Sequence, residues 1–236
     1  MSWKELRVSE DGTHHTLAGK PAYSKRFITV LKFHKPGLAP AEDHTGSFHI
    51  LPDGTPAYEE RFLRTFGFYF DRAAVITKNG WTHINPQGTI IYPARYDWVG
   101  NFQDKVCTVR LKDQYFHIDQ NGKLLYPEKY LYAGDFRNGI AVIRKQNGKT
   151  AHIYKDGSFV HGKKFIDLDV YHKGFARARD NEGWFHIDLQ GESLYKERFL
   201  MIEPFYNGFA LVHRFDGEVG IINEQGDWIH SILKQK

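Results

Sequence analysis

Tyr115-Phe116-His117-Ile118-Asp119-Gln120-Asn121-Gly122-Lys123-Leu124-Leu125-Tyr126 reads as a short strand, a turn and a second apolar run. Alternation along the first part puts His117 on one face and its neighbours on the other. Asp-Gln-Asn-Gly is turn chemistry, with Gly122 suited to a positive φ. The same signature recurs on both sides at a period of about 34 residues. Its anchors are Gly19, Gly54, Gly88, Gly122, Gly157, Gly191 and Gly226, at intervals of 35, 34, 34, 35, 34 and 35.

Other columns keep step with the glycine. Five residues before it stand His14, His49, His83, His117, His152 and His186, with Ile221 in the last copy. Four residues after it stand Tyr23, Tyr58, Tyr92, Tyr126, His161, Tyr195 and His230. A basic residue follows at Arg26, Arg61, Arg95, Lys129, Lys164 and Arg198, then an aromatic one, then a second aromatic column from Phe33 to Phe205. An apolar run such as Gly139-Ile140-Ala141-Val142-Ile143 closes the unit. Strands of four to six residues between turns at this density predict an all-β protein, and no window keeps a helical period.

The expected architecture is one repeat domain over residues 1–236: seven small blades closed into a β-propeller. Three strands per blade are expected, with a fourth short one around Tyr96 to Val99 as an option. Trp3-Lys4-Glu5-Leu6-Arg7-Val8 fits an orphan strand, and the last copy ends one strand short, so the N-terminal strand is expected to complete the last blade. A ring of this kind leaves only short, protected edges.

Composition narrows the function. Thirty-two basic and 28 acidic residues give a net charge of +4, a mild excess without the concentrated basic stripe of a dedicated nucleic-acid binder. No apolar run reaches the length of a membrane helix. The opening residues, with Glu5, Glu10 and Asp11, lack the apolar core of a secretory signal. Cys107 is the sole cysteine, which excludes an internal disulfide and favours a cytoplasmic protein.

The units resemble the WG-repeat family of bacterial proteins. The resemblance rests on Trp81-Thr82-His83-Ile84-Asn85, Tyr115-Phe116-His117-Ile118-Asp119 and Trp184-Phe185-His186-Ile187-Asp188. Phe136 with Gly139-Ile140-Ala141-Val142, and Phe205 with Gly208-Phe209-Ala210, carry it through the second half of the unit. The Trp-Gly pair itself is not kept, and histidine stands where the family has tyrosine. The resemblance implies a bacterial protein with a binding or interaction role, often beside another domain or a catalytic subunit. It carries no catalytic residues.

The histidine column admits two readings. Each ring can donate to a carbonyl of a neighbouring unit and so stitch the repeats together. Alternatively the histidines, with the basic column, line an anionic ligand. For the basic residues the competing account is pairing between units with Glu60, Glu128 and Glu197. One metal on all six histidines is geometrically excluded by zinc's short, four-ligand shell, so no metal or cofactor is expected. His117-x-Asp119 and His186-x-Asp188 place an acid beside a histidine, but no serine or cysteine nucleophile accompanies them. Asp167 and Asp169, the latter in the column of Glu203, offer a carboxylate pair that could act on a glycosidic bond. The expectation is a non-catalytic binding or scaffold module for a protein partner or anionic ligand. A carbohydrate-binding or glycoside-cleaving propeller, and a nucleotide or nucleic-acid binder, are the alternatives.

Overall fold

The computed structural model describes residues 2–233. Apart from one helical turn at Trp3–Glu5, the regular elements are strands. They make seven small antiparallel sheets among the described residues, one for each repeat glycine. In copy 4 the strands are Trp98–Val99, Val106–Leu111 and Gln114–Asp119. The short first strand comes from the optional segment, the middle strand from the apolar run, and the third from the histidine stretch. The middle and third strands pair residue for residue, with Thr108 opposite His117.

The run after each glycine differs from expectation. In copies 2 to 6 it touches the third strand through one bridge only, such as Ile84 with Ile90 or Ile118 with Leu124. It is a full strand only in copy 7, at Trp228–Leu233, and a two-residue one in copy 1, at Lys20–Pro21. The cause is local. The column tyrosine turns inward, as in the buried Tyr58, Tyr92, Tyr126 and Tyr195, and Pro93 and Pro127 next to it lack the N–H a ladder needs.

The N-terminal strand also differs. Arg7–Val8 pairs with His15–Leu17 inside copy 1, and the sheet of the last copy consists of its own four strands, Met201–Ile202, Phe209–His213, Val219–Asn223 and Trp228–Leu233. The partner of Arg7–Val8 lies just across a short turn, so little loop entropy opposes that hairpin. Asp11 holds the turn, accepting from the Ser9 hydroxyl at 2.6 Å and the Thr13 N–H at 3.1 Å. These bonds hold its carboxyl at about 2.

The chain forms two compact units, Met1–Leu124 with copies 1 to 4 and Leu125–Lys236 with copies 5 to 7. Within each unit the cores run from sheet to sheet. One joins Phe27, Phe48, Phe68 and Ile84 of copies 1 to 3. Another joins Phe165, Phe185, Phe205 and Ile222 of copies 5 to 7. No copy encloses a core alone, as expected of repeats that bury their apolar faces on neighbours.

Candidate functional site

In copies 2 to 6 each column histidine lies on the third strand of its sheet and reaches toward the next sheet. His49 Nε2 meets the Phe66 carbonyl at 2.8 Å, His83 that of Gly100 at 3.0 Å, and His186 that of Glu203 at 2.9 Å. His152 meets the Asp169 carbonyl at 2.8 Å. A carbonyl only accepts, so Nε2 carries the proton and Nδ1 of the neutral ring is an acceptor. A tyrosine hydroxyl donates to it: Tyr58 to His49, Tyr92 to His83, and Tyr195 to His186 at 2.5 Å. The ring face then packs on the second aromatic column, with centroids 4.6 Å apart for His49 and Phe68 and 4.7 Å for His83 and Phe102. His117 is fully buried, opposite Thr108.

Copy 1 corrects the column by one residue. His15, not His14, accepts from Tyr23 at 2.6 Å and donates to the Leu31 carbonyl at 2.9 Å. His14 points to the other face, beside the Thr13 hydroxyl and 3.6 Å from Asp11. The turn before Gly19 is one residue shorter than elsewhere, so counting back from the glycine selects the wrong member of the doublet.

Burial sets the protonation of these groups. It lowers the pKa of His49, His83, His152 and His186 to about 4 against the donated carbonyl bonds, which push upward. It lowers His15 in the same sense and raises Tyr23 to about 12. These imidazoles are neutral and occupied at both nitrogens at pH 7. Their chemistry is cross-linking.

The arginines of the basic column cap turns. One Nη of Arg61 meets the carbonyls of Tyr58, Glu59 and Glu60 at 3.3, 2.8 and 3.1 Å. Arg26, Arg95 and Arg198 repeat this on the three carbonyls preceding each of them. Thus Glu60 and Glu197 contribute backbone oxygens here, rather than the carboxylates expected from the sequence. The guanidinium of Arg61 also lies over Phe48 and that of Arg198 over Phe185, 3.8 and 3.6 Å from the ring centroids, a stacked geometry that lysine cannot reproduce. Lys129 and Lys164 are exposed.

What surrounds the arginines differs between copies. Arg198 Nε bonds the Asp180 carboxylate at 2.8 Å. Arg61 Nε bonds the Thr45 hydroxyl instead, at 2.9 Å. The residue six before the histidine is Asp180 in copy 6 and Asp43 in copy 2, which attracts Arg61, but Thr77 in copy 3, so Arg95 lacks the acid that Arg198 has. Arg61 and Arg95 line one cleft of about 580 Å³ with Thr45, Leu63, Lys78 and Ile90, and no carboxylate lines it. Leu63 is 60% exposed and Ile90 38%. The cleft combines three cations with an apolar rim.

The carboxylate pair is not assembled for acid–base work. Asp169 accepts two bonds from Arg177, that from Nε at 2.9 Å, while Asp167 meets Arg144 at 3.3 Å. Asp119 and Asp188 cap turns, each accepting two backbone N–H groups at 2.8–2.9 Å. Among the described residues no group of three or more His, Cys, Asp or Glu could hold a metal ion, and no helix is long and apolar enough to cross a membrane.

Solved structures that resemble this chain do so at low identity. A eukaryotic initiation factor shares 11% identity with a TM-score of 0.51, over 89% of this chain and 66% of the other. BamB from Moraxella catarrhalis shares 13% with a TM-score of 0.47, over 96% and 84%. The C-terminal WD40 domain of Sif2 shares 8% with a TM-score of 0.38, over 84% and 67%. Such likeness concerns fold alone, and the neighbours are propeller-like. No curated protein matches the chain. Residues 81–115 and 118–149 match the family model of the WG containing repeat. Those two stretches, with their turn glycines and apolar middle strands, are similar to WG containing repeats.

Proposed function

We propose that this chain is a non-catalytic binding or scaffold module that holds an anionic group, on a small ligand or a protein partner, in the cleft between Arg61 and Arg95. The supporting observation is the contrast with copy 6. Arg198 carries a built-in carboxylate 2.8 Å from its Nε, and that pair marks where an anion sits on a column arginine. At Arg95 the place of Asp180 is taken by Thr77, and although Asp43 holds that place in copy 2 and attracts Arg61, no carboxylate lines the cleft that holds both guanidiniums and Lys78. A carboxylate or phosphate supplied from outside would complete the fork, and Leu63 and Ile90 suit an apolar body behind the charge. A closed seven-blade ring is part of this proposal. It rests on the seven glycines, and small-angle scattering of the protein tests it. A cytoplasmic site of action is the compartment that fits a single buried free thiol.

The test uses phenyl phosphate as a probe, titrated by NMR at low salt. Arg95→Glu is expected to abolish the shifts at Leu63 and Ile90, and added salt to weaken them steeply. Equal binding by Arg95→Glu, with its circular dichroism unchanged, would end the proposal.

A further inference from the structure

Six of the seven sheets among the described residues open with a first strand, two residues long at Thr29–Val30, Trp98–Val99, Tyr132–Ala133, Asp167–Leu168 and Met201–Ile202 and longer at Arg64–Tyr69. Just after that strand a backbone N–H donates to the middle strand: Leu31 to Pro40, Gly100 to Thr108, Gly134 to Val142, Asp169 to Arg177 and Glu203 to Leu211, each at 2.9 Å. The first four acceptors each lie opposite the column histidine, and Leu211 lies opposite Ile221. In copy 1 the residue opposite His15 is Val8. The neighbouring pair is joined by Ser9 N–H to His14 O at 2.9 Å. Hydrogen-bonded and non-hydrogen-bonded pairs alternate in an antiparallel ladder, so the N–H and C=O of Val8 point to the opposite edge. No first strand meets that edge among the described residues.

A cleft of about 340 Å³ runs beside this edge. Trp3, Leu6, Val8 and Phe33 give it apolar walls, while Lys4 and Lys32 stand at its rim, and no acidic side chain lines it. The Lys4 ammonium lies 5.8 Å from the Trp3 ring centroid. We propose that the free edge of Arg7–Val8 and this cleft form a docking site for an extended acidic segment of a partner protein, added as a strand to the first sheet. An exposed edge pairs readily with another chain, and an added strand combines main-chain bonds with pockets for alternate side chains. The lysines select glutamate or aspartate on one face of the strand. The apolar walls take an aliphatic side chain from the other. This site is separate from the Arg61–Arg95 cleft and does not depend on it.

The probe is a six-residue peptide alternating glutamate and valine, blocked at both ends, added to the full-length protein at low salt. Binding at about 1 mM or tighter and slowed hydrogen exchange of the Val8 amide are expected. The same peptide with alternate backbone nitrogens methylated should bind at least about tenfold more weakly, because it cannot complete the ladder. Lys32→Glu, an exposed substitution that leaves the fold intact, should weaken the parent peptide by a similar factor. A Val8 amide that exchanges at the same rate with and without peptide overturns the proposal. So does equal binding of the methylated peptide, or of a lysine–valine peptide.

Discussion

Gly19 and Gly88 hold the same place in the repeat and the same backbone, with φ of 77° and 79°. Their surroundings differ. A Cβ on Gly88 would lie 2.5 Å from the Tyr58 ring of the preceding copy, whereas one on Gly19 meets nothing within 4 Å. Gly54, Gly122, Gly157, Gly191 and Gly226 follow Gly88, each against the ring at the tyrosine position one copy earlier, at 2.5–2.8 Å. The glycine column therefore answers two demands, a left-handed turn and the flat face of a neighbour's ring. In copy 1 only the first demand operates. The histidine column behaves alike. Its one exception is Ile221, in the last copy.

The largest expected effect breaks that comparison directly. Gly88→Ala should cost about 4 kcal/mol, because a ring pinned between two sheets must shift, while Gly19→Ala should cost about 1 kcal/mol from backbone strain alone. Urea unfolding of the two variants checks the difference, and equal losses would remove the ring contact as the cause. Next comes His83→Ala, expected to cost about 3 kcal/mol, since it leaves the Gly100 carbonyl with only the weaker Cys107 thiol at 3.3 Å and the Tyr92 hydroxyl without the ring nitrogen it donates to. Tyr92→Phe keeps the ring on Gly122 and removes one bond, so about 1 kcal/mol should be lost. A Tyr92→Phe loss as large as that of His83→Ala would show that packing, not the carbonyl bond, carries the joint.

Much of this arrangement is legible before any coordinates. The period, the turn glycines, the all-β class and the stitching role open to the histidines all follow from columns of residues. What escapes is what depends on geometry between copies. A His14-His15 doublet offers two registers, and alternation alone does not choose between them. The arginine column shows its charge but not its direction, and the guanidiniums turn back onto carbonyls that have no sequence signature. Asp167 and Asp169 look like a reactive pair until Arg177 and Arg144 are seen to occupy them. The vacant edge of Arg7–Val8 becomes visible only once the other six sheets show what belongs there.

Acid sharpens the contrast between joints. His49, His83, His152 and His186 have folded-state values near 4, below the unfolded value of about 6.5, so the folded protein binds fewer protons than the unfolded chain in that interval. Their contribution is complete above about pH 6.5. It falls as pH drops toward 4, by a few kcal/mol for each buried ring once both states are protonated. Denaturation at stepped pH should show a steep loss across this window, and a flat profile would contradict neutral, buried rings.

Copy 5 departs from the others within that window, and the smallest predicted effect comes from it. There His152 Nδ1 faces His161 Nε2 at 3.3 Å instead of a tyrosine hydroxyl. Because His152 donates from Nε2 to the Asp169 carbonyl, His161 must donate from its own Nε2. Its Nδ1 is then a buried acceptor, and it has no hydrogen-bond partner. Burial lowers the pKa of His161 foremost, against the Lys163 backbone and the charges of Asp188 and Glu192, which push it upward, while the Lys163 ammonium adds to the lowering. His161→Tyr should place a ring on Gly191, as tyrosines sit on the other glycines, and remove the orphaned nitrogen. A gain of about 1 kcal/mol is expected at pH 7, with a larger gain at pH 5, where His161 of the unfolded wild-type chain binds protons more readily than in the folded one. A variant equally stable at pH 7 and less stable at pH 5 would mean that the His–His joint tolerates acid better than the His–Tyr one, reversing the order argued here.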